Sequence, residues 1–409
     1  MNLMNLRLFR LALSLCFFIA LGFAASAQIA VKGETVYPMN GPAIKDGVVL
    51  IRDGKIEKVG PAKQVQIPAD YKVVSAKVVT PGLIDSHSVV GLSGYLNAPG
   101  DQDQLDRSAS VQPELRAIDA YNGRERLIEY LRGYGVTILH TGPAPGALVP
   151  GQTMVVKTSA ETVEQGVLNP ATMVCVTLGA NGLADAGRAP GTRSKEIAML
   201  RAELIKAREY AVKMSAPEDK RPPRDLKLDV FVRVLNREEP LLVTAHKAND
   251  MLSALRLAKE FNIRLVFDGA AEAHLIVKEI KDSGFPVILH ATMLRTGGEA
   301  ENASFETASI LRNAGIPVAI QSGYEPYVPK TRVVLFEAAA AAANGLKFEE
   351  ALATITIDAA KILGVADRVG SLEPGKDADV ALFDGDPFEY TSHAVGVIIN
   401  GKVVSSSPR

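Results

Sequence analysis

Between residues 83 and 321 short apolar runs alternate with helical text, and few architectures accommodate that rhythm. The candidate strands are Leu83 to His87, Val136 to His140, Thr153 to Lys157, Met173 to Leu178, Leu241 to His246, Ile263 to Asp268, Pro286 to His290 and Pro317 to Gln321. Eight strands separated by helices is the count a (β/α)8 barrel requires. Among the helices, Ile197, Leu200, Leu204, Ala207 and Ala211 recur at three and four residues in a charged background, which marks one buried stripe. Asn249 is placed to cap a helix running to Phe261, and Asn344-Gly345 stops a helix rich in alanine.

The chain ends are written differently. Ala30 to Val31, Val48 to Arg52, Lys55 to Val59 and Lys72 to Val74 are short strands, as are Ala378 to Phe383 and Val395 to Ile399. Asp53-Gly54 and Asn400-Gly401 supply the positive φ values a two-residue hairpin turn needs. The two ends are expected to share one small β domain.

In residues 78 to 90, VVTPGLIDSHSVV, an apolar strand enters through a Pro-Gly corner and runs out into Asp85, Ser86, His87 and Ser88. This text resembles the first barrel strand of the metal-dependent amidohydrolase superfamily, near its imidazolonepropionase-like members, where the pattern is PGLIDxHxH. RDGKIEKVG (residues 52–60) and GSLEPGKDADVALFDGDP (residues 370–387) resemble the same family's N- and C-terminal strand pairs. The resemblance implies an α/β fold: a (β/α)8 TIM-type barrel over residues 81–365 and a small β-sandwich domain from residues 28–80 and 366–409.

His87 matches the first histidine of the family's pair, and His246 in PLLVTAH its fifth-strand histidine; both are carried over as metal ligands. Histidines at i and i+2 of a strand face the same side, so both can bind one ion. Here Val89 holds the second position and has no lone pair to offer. The sixth-strand histidine should fall near Asp268, in LVFDG, and the eighth-strand aspartate at Gly323, which cannot act as a base. Glu325 lies two residues further on. His140 and His290 also end candidate strands, so that four of the six histidines converge on one barrel mouth. His140 is assigned to substrate binding and Asp268 and His290 to catalysis; either histidine, or Asp268, is also open as a third ligand. Lys157 is the one candidate for a carboxylated lysine bridging two metals, with a solvated lysine as the alternative. His274 and His393 are expected to be structural.

Other chemistries find less support. Gly91-Leu92-Ser93-Gly94 is not a nucleophile elbow, and the glycine-rich stretch 142–151 lacks the Lys-Ser/Thr of a phosphate loop. Without the two arginines of residues 1–27 the chain has 43 basic and 46 acidic side chains, a balance that favours neither nucleic acid nor an anionic membrane. In that leading segment Arg7 and Arg10 precede an apolar run of 13 residues, Leu11 to Phe23, and then Ala25-Ser26-Ala27. It reads as a signal peptide cleaved after Ala27, with export to the periplasm or beyond. A bilayer-spanning helix needs about 20 apolar residues. Cys175 then stands alone and closes no internal disulfide.

The expected function is an exported hydrolase that cleaves an amide or cyclic amide of a small molecule with water activated by one divalent ion, zinc by preference. The alternative is a barrel that has lost its metal and serves as a binding or partner subunit. No nucleic-acid partner is expected, and no membrane association after signal cleavage. A homo-oligomer and pairing with an active relative both stay open. Residues 97–113, which carry three aspartates, form a loop over the catalytic face, read equally as a lid or as solvated surface.

Overall fold

A computed structural model describes residues 28–96, 98–290, 296–324 and 333–408. Glu325 and residues 1–27, read as a signal peptide from sequence, lie outside these residues.

The chain opens with β1 (Ile29–Val36), β2 (Ile44–Arg52), β3 (Lys55–Pro61) and β4 (Lys72–Pro81). The central part carries β5 (Leu83–Ser88), β6 (Val136–Thr141), β7 (Gly151–Gln152), β8 (Met154–Lys157), β9 (Val167–Asn169) and β10 (Val174–Thr177). It continues with β11 (Leu241–Ala245), β12 (Leu265–Gly269), β13 (Val287–Leu289) and β14 (Val318–Ile320). The chain closes with β15 (Val380–Phe383), β16 (Ala394–Ile399) and β17 (Lys402–Ser405).

Both ends build one sheet in the order β17-β16-β15-β4-β1-β2-β3. The strand pairing connects all seven strands as one sheet. Its hairpins β2–β3 and β16–β17 turn at Asp53-Gly54 and Asn400-Gly401, all four residues having positive φ. The two turns touch: a Cβ on Gly401 would lie 2.9 Å from Gly54 Cα, so glycine there allows the close approach.

The centre is an α/β, TIM-barrel-like core. β5 pairs with β6, and β10 through β14 with one another in sequence order, all in parallel. Eight strands each send one side chain inward, Ile84, Ile138, Val155, Cys175, Leu242, Val266, Ile288 and Ala319, and Ala359, Ala360 and Leu363 join the same cluster. Burying such side chains contributes roughly 1.5–3 kcal/mol each for the larger ones.

The third strand departs from the expected pattern. β8 runs antiparallel to β6, with Ile138 opposite Lys157 and Thr141 opposite Met154. The ladder divides into two sheets, joined by a parallel bridge between Ser88 and Gly323 and by the Thr153 amide donating to Met173 O (2.9 Å).

Of the expected helical stripe, Leu200, Leu204 and Ala207 are buried on the helix Arg193–Met214, joined by Glu196 and Tyr210 in place of Ile197 and Ala211. The helix Ala248–Phe261 starts before Asn249, so that residue does not cap it; the Glu272 carboxylate accepts from Ala248 N instead (2.8 Å). The loop after β5 is pinned rather than free, with Gln112 N donating to Val149 O and Gln104 O accepting from Ala144 N (both 2.8 Å). Among the described residues no helix is long and apolar enough to cross a membrane.

Candidate active site

Side chains alternate along a strand, so the inward positions beyond Leu242, Val266 and Ala319 are Thr244, Asp268 and Gln321. All three are buried, and they meet. Asp268 Oδ2 accepts from Thr244 Oγ1 (2.6 Å), and Oδ1 accepts from Gln321 Nε2 (2.6 Å) and from His87 Nδ1 (2.9 Å). His87 reaches Asp268 from β5, whose register against β6 shifts between Asp85 and Ser88.

Donation from Nδ1 to a carboxylate fixes the neutral imidazole with its lone pair on Nε2. That atom is buried and makes no hydrogen bond of ordinary geometry among the described residues, although the Pro143 carbonyl acts on the ring and favours its protonated form. Burial alone would lower the His87 pKa, but the Asp268 charge and hydrogen bond outweigh it and the value is raised. Burial would likewise raise Asp268, but His87 and the Thr244 hydrogen bond hold it below the ordinary carboxylate value. The opposite directions describe one charge-stabilised pair.

A second carboxylate, Asp85, joins β5 to the segment after β14. It accepts from Ser322 N (3.0 Å) and from the Ser322 hydroxyl. Burial pushes its pKa up to about 6 against those hydrogen bonds.

The remaining histidines separate into two groups. His246 and His290 line the mouth with Tyr324: ring centroids lie 6.0 Å apart for His246–His290, 4.7 Å for His290–Tyr324 and 5.3 Å for His87–Tyr324. Gly269 makes this possible. Its φ is +78°, and a Cβ there would lie 2.7 Å from His246 Cε1 and 3.3 Å from the Tyr324 hydroxyl.

His140 is different. Nδ1 bonds Ser86 O (2.5 Å) and Nε2 bonds Thr153 Oγ1 (2.7 Å), so both nitrogens are engaged by the protein. Burial, reinforced by nearby His87, lowers its pKa to about 3, so it is neutral. Nδ1 then donates to the carbonyl and Nε2 accepts the Thr153 proton. This arrangement corrects the expectation that His140 meets substrate or a metal; it joins β6 to β5 and to the segment ahead of β8. His274 Nδ1 pairs with Thr307 Oγ1 (3.2 Å) and His393 Nδ1 with Asp384 (3.1 Å), both away from this cluster.

Lys157 is also corrected. Because β8 is antiparallel, its last residue points away from the mouth and towards the terminal sheet. Its ammonium is 2.8 Å from Asp377 Oδ2 and 2.9 Å from Asp379 Oδ2, so it is a paired cation and no metal bridge.

Thr244, Gln321, Ser322 and Tyr324 were not singled out from sequence. The signal was available for two of them, since Thr244 and Gln321 sit at inward positions of strands whose ends were already suspected.

Known proteins share this architecture. The amidohydrolase family model matches residues 242–405. A crystal structure of an amidohydrolase from Thermotoga maritima MSB8 is 31% identical, covers 92% of this chain and 100% of its own, and superposes with a TM-score of 0.87. The chain belongs to the amidohydrolase family. An imidazolonepropionase of Symbiobacterium thermophilum is 26% identical over 90% of this chain and 92% of its own length. Amidohydrolase tasK of Hapsidospora irregularis is 24% identical over 88% of this chain, which spans 40% of that longer protein. This amidohydrolase is an imidazolonepropionase-like member and a hydrolase of C–N bonds.

Members of the family are typically metal-dependent, and the side chains of this amidohydrolase can be tested against such a centre. Among the described residues no three His, Cys, Asp or Glu side chains are placed to hold an ion together. Val89 is buried against Ala144 and Tyr324, so an apolar cluster fills the place of the second histidine. Both oxygens of Asp268 are taken by donors, and Gly323 brings no side chain. Structural and catalytic zinc sites use about three or four protein ligands. Among the described residues the donor set does not fit a family-type metal centre; His87 and His246, expected as ligands, both stand at the histidine- and tyrosine-lined mouth.

Proposed function

We propose that this amidohydrolase hydrolyses an amide or cyclic amide of a small molecule, with His87 as proton acceptor for the attacking water. The water oxygen adds to the carbonyl carbon and its proton passes to His87 Nε2. Collapse breaks the C–N bond, and the same proton moves to the departing nitrogen. Asp268 is the positioning residue: it fixes the tautomer and stabilises the imidazolium, while Thr244 and Gln321 hold the carboxylate. His246 and His290 are assigned to the substrate side of the mouth. Tyr324 lies across the His87 ring, so it must turn aside when substrate enters. The observation that carries this reading is a buried histidine with one nitrogen bonded to a carboxylate and an Nε2 that makes no hydrogen bond of ordinary geometry among the described residues. The leader 1–27 supports export as part of the same proposal.

The test is kcat/KM against pH on a panel of simple amides. Only neutral His87 accepts a proton, and its pKa is raised above the ordinary 6.5, so activity is expected to rise with pH through a limb above 6.5. Asp268→Asn removes the charge that raises that pKa. It is expected to move the limb to lower pH and to lower kcat by up to about 10^4-fold. A limb unmoved by the substitution would refute the assignment.

Metal analysis gives a second expected result. Protein purified without chelator is expected to hold less than one transition-metal ion per chain. Stoichiometric zinc, iron or manganese that is lost in His87→Ala would restore the metal-activated reaction.

A further inference from the structure

The loop after β5 and the segment 143–150 enclose a cavity of about 300 Å3. Pockets of roughly 300–1,000 Å3 take small organic molecules, so there is room for more than solvent. Backbone hydrogen bonds build its walls in advance: Asp103 N donates to Leu92 O, Ala144 N to Gln104 O and Gln152 N to Leu115 O, each at 2.8 Å. Leu92, Leu105, Leu115, Ala117, Pro143 and Pro150 give it an apolar lining. Leu105 also packs against the cluster of Val89, Ala144 and Tyr324, which sets the cavity beside the mouth and outside the His87–Asp268 pair.

Its charge is one-sided. Asp103, Asp106, Glu114 and Asp119 line it, and among the described lining residues Arg116 is the one cation. Arg116 is committed to Asp119, Nε to Oδ2 at 2.8 Å and Nη2 to Oδ1 at 2.6 Å. Lys227 lies 3.6 Å from Glu114. Asp106 accepts from neutral donors, Ser108 Oγ (2.6 Å), Ser108 N (2.7 Å) and Gln112 Nε2 (3.1 Å), which hold its carboxyl below the ordinary value and keep it ionised. Among the described residues neither Asp103 nor Asp106 has a cation within ion-pair distance. Acids on a flat surface would only be solvated. Set around an apolar cavity, they select a molecule with an apolar body and a positive end.

We propose that this cavity binds a small organic cation, an alkylammonium or alkylguanidinium, with its chain on the apolar lining and its charged end at Asp103 and Asp106. The proposal is independent of the hydrolytic reading, since neither His87 nor Asp268 takes part. A bare metal ion would leave the lining unused, and among the described residues no three donors are placed to hold one.

Calorimetric titration of the protein at low salt compares hexylammonium, 1-hexanol and hexanoate, which share one chain length and differ in the end group. Hexylammonium is expected to bind about tenfold more tightly than 1-hexanol, the gain two partly exposed ion pairs supply together, and hexanoate not measurably. Shortening the chain to butylammonium is expected to cost roughly fourfold per methylene removed. Added salt is expected to weaken the ammonium and leave the alcohol unchanged. Asp103→Asn with Asp106→Asn removes both charges while keeping the oxygen that Ser108 and Gln112 bond, and the ammonium-to-alcohol ratio is expected to fall to about one. Leu115→Lys, at a position 38% exposed, supplies an internal cation and is expected to weaken hexylammonium about tenfold with an unchanged melting profile. Failure to bind hexylammonium, binding no tighter than 1-hexanol, or a ratio that the double variant leaves unchanged would overturn the proposal. So would binding of zinc or magnesium that displaces the amine from Asp103 and Asp106.

Discussion

Replacing His87 by alanine is expected to lower kcat for amide hydrolysis by roughly 10^2- to 10^4-fold, the range a positioned general base contributes. The reasoning starts from hydrogen-bond capacity. A neutral imidazole has one donor and one acceptor, and in this site the donor is committed to Asp268 at 2.9 Å while the acceptor finds no donor among the described residues. A protein that buries an acceptor without a partner gives up about 1–3 kcal/mol, so the arrangement calls for a compensating use. Removing the ring leaves Asp268 with Thr244 and Gln321, both at 2.6 Å, so the carboxylate remains solvated by the protein and the fold is expected to survive. Thermal melting checks this. Free imidazole added to the variant is expected to restore part of the rate by occupying the vacated space. A variant as active as wild type, with an unchanged melting profile, would remove His87 from the chemistry.

Much of the architecture was legible because it follows from periodicity. Apolar runs of four to six residues ending at His87, His140, His246, Asp268, His290 and Gln321 became strand ends, and Asp-Gly and Asn-Gly became the hairpin turns, since both signals are local. Strand direction is not local. Nothing in MVVKT distinguishes a parallel from an antiparallel strand, so Lys157 was placed at the wrong end of the core until β6–β8 pairing showed its sense.

The site was legible only as a list of residue types. The four mouth histidines read alike in sequence, yet His140 has both nitrogens consumed by Ser86 and Thr153, whereas His87 has one nitrogen consumed and one not. That difference depends on partners 13 and 181 residues away. The missing ligands at Val89 and Gly323 could be read directly from the family pattern. What fills their place, an apolar cluster and a backbone bridge, required coordinates.

The second large effect is on stability rather than activity. Lys157→Met is expected to destabilise the protein by about 3–5 kcal/mol, the usual result of removing one partner from a buried ion pair. Lys157 is 2% exposed and bonds Asp377, Asp379 and the Asn400 side chain (2.5 Å), tying β8 of the core to the terminal sheet. The two carboxylates would not suffer equally. Asp377 keeps Lys55 (2.6 Å) and Arg368 (2.8 Å), whereas the Asp379 carboxylate keeps, among the described residues, only the backbone N–H of Asn400 (2.9 Å). Burial already raises the Asp379 pKa with the lysine present, and without it the carboxylate is favoured still less. The loss is therefore expected to be greatest above neutral pH and to shrink as pH falls and Asp379 takes up a proton; Asp379→Asn in the same chain should recover part of it. Asp377 sets the opposite limit in the wild type. Burial would raise its pKa, but hydrogen bonds from Lys157 and Lys55 hold it at about 2, so its contribution is complete above the ordinary carboxylate value and disappears as pH falls through 2. Urea unfolding of the two variants and the wild type at pH 5 and pH 8 measures the first trend, and unfolding of the wild type between pH 4 and pH 2 measures the second. A Lys157→Met chain as stable as wild type at pH 8 would show that these carboxylates find other partners, and that the terminal sheet does not depend on this lysine for its attachment to the core.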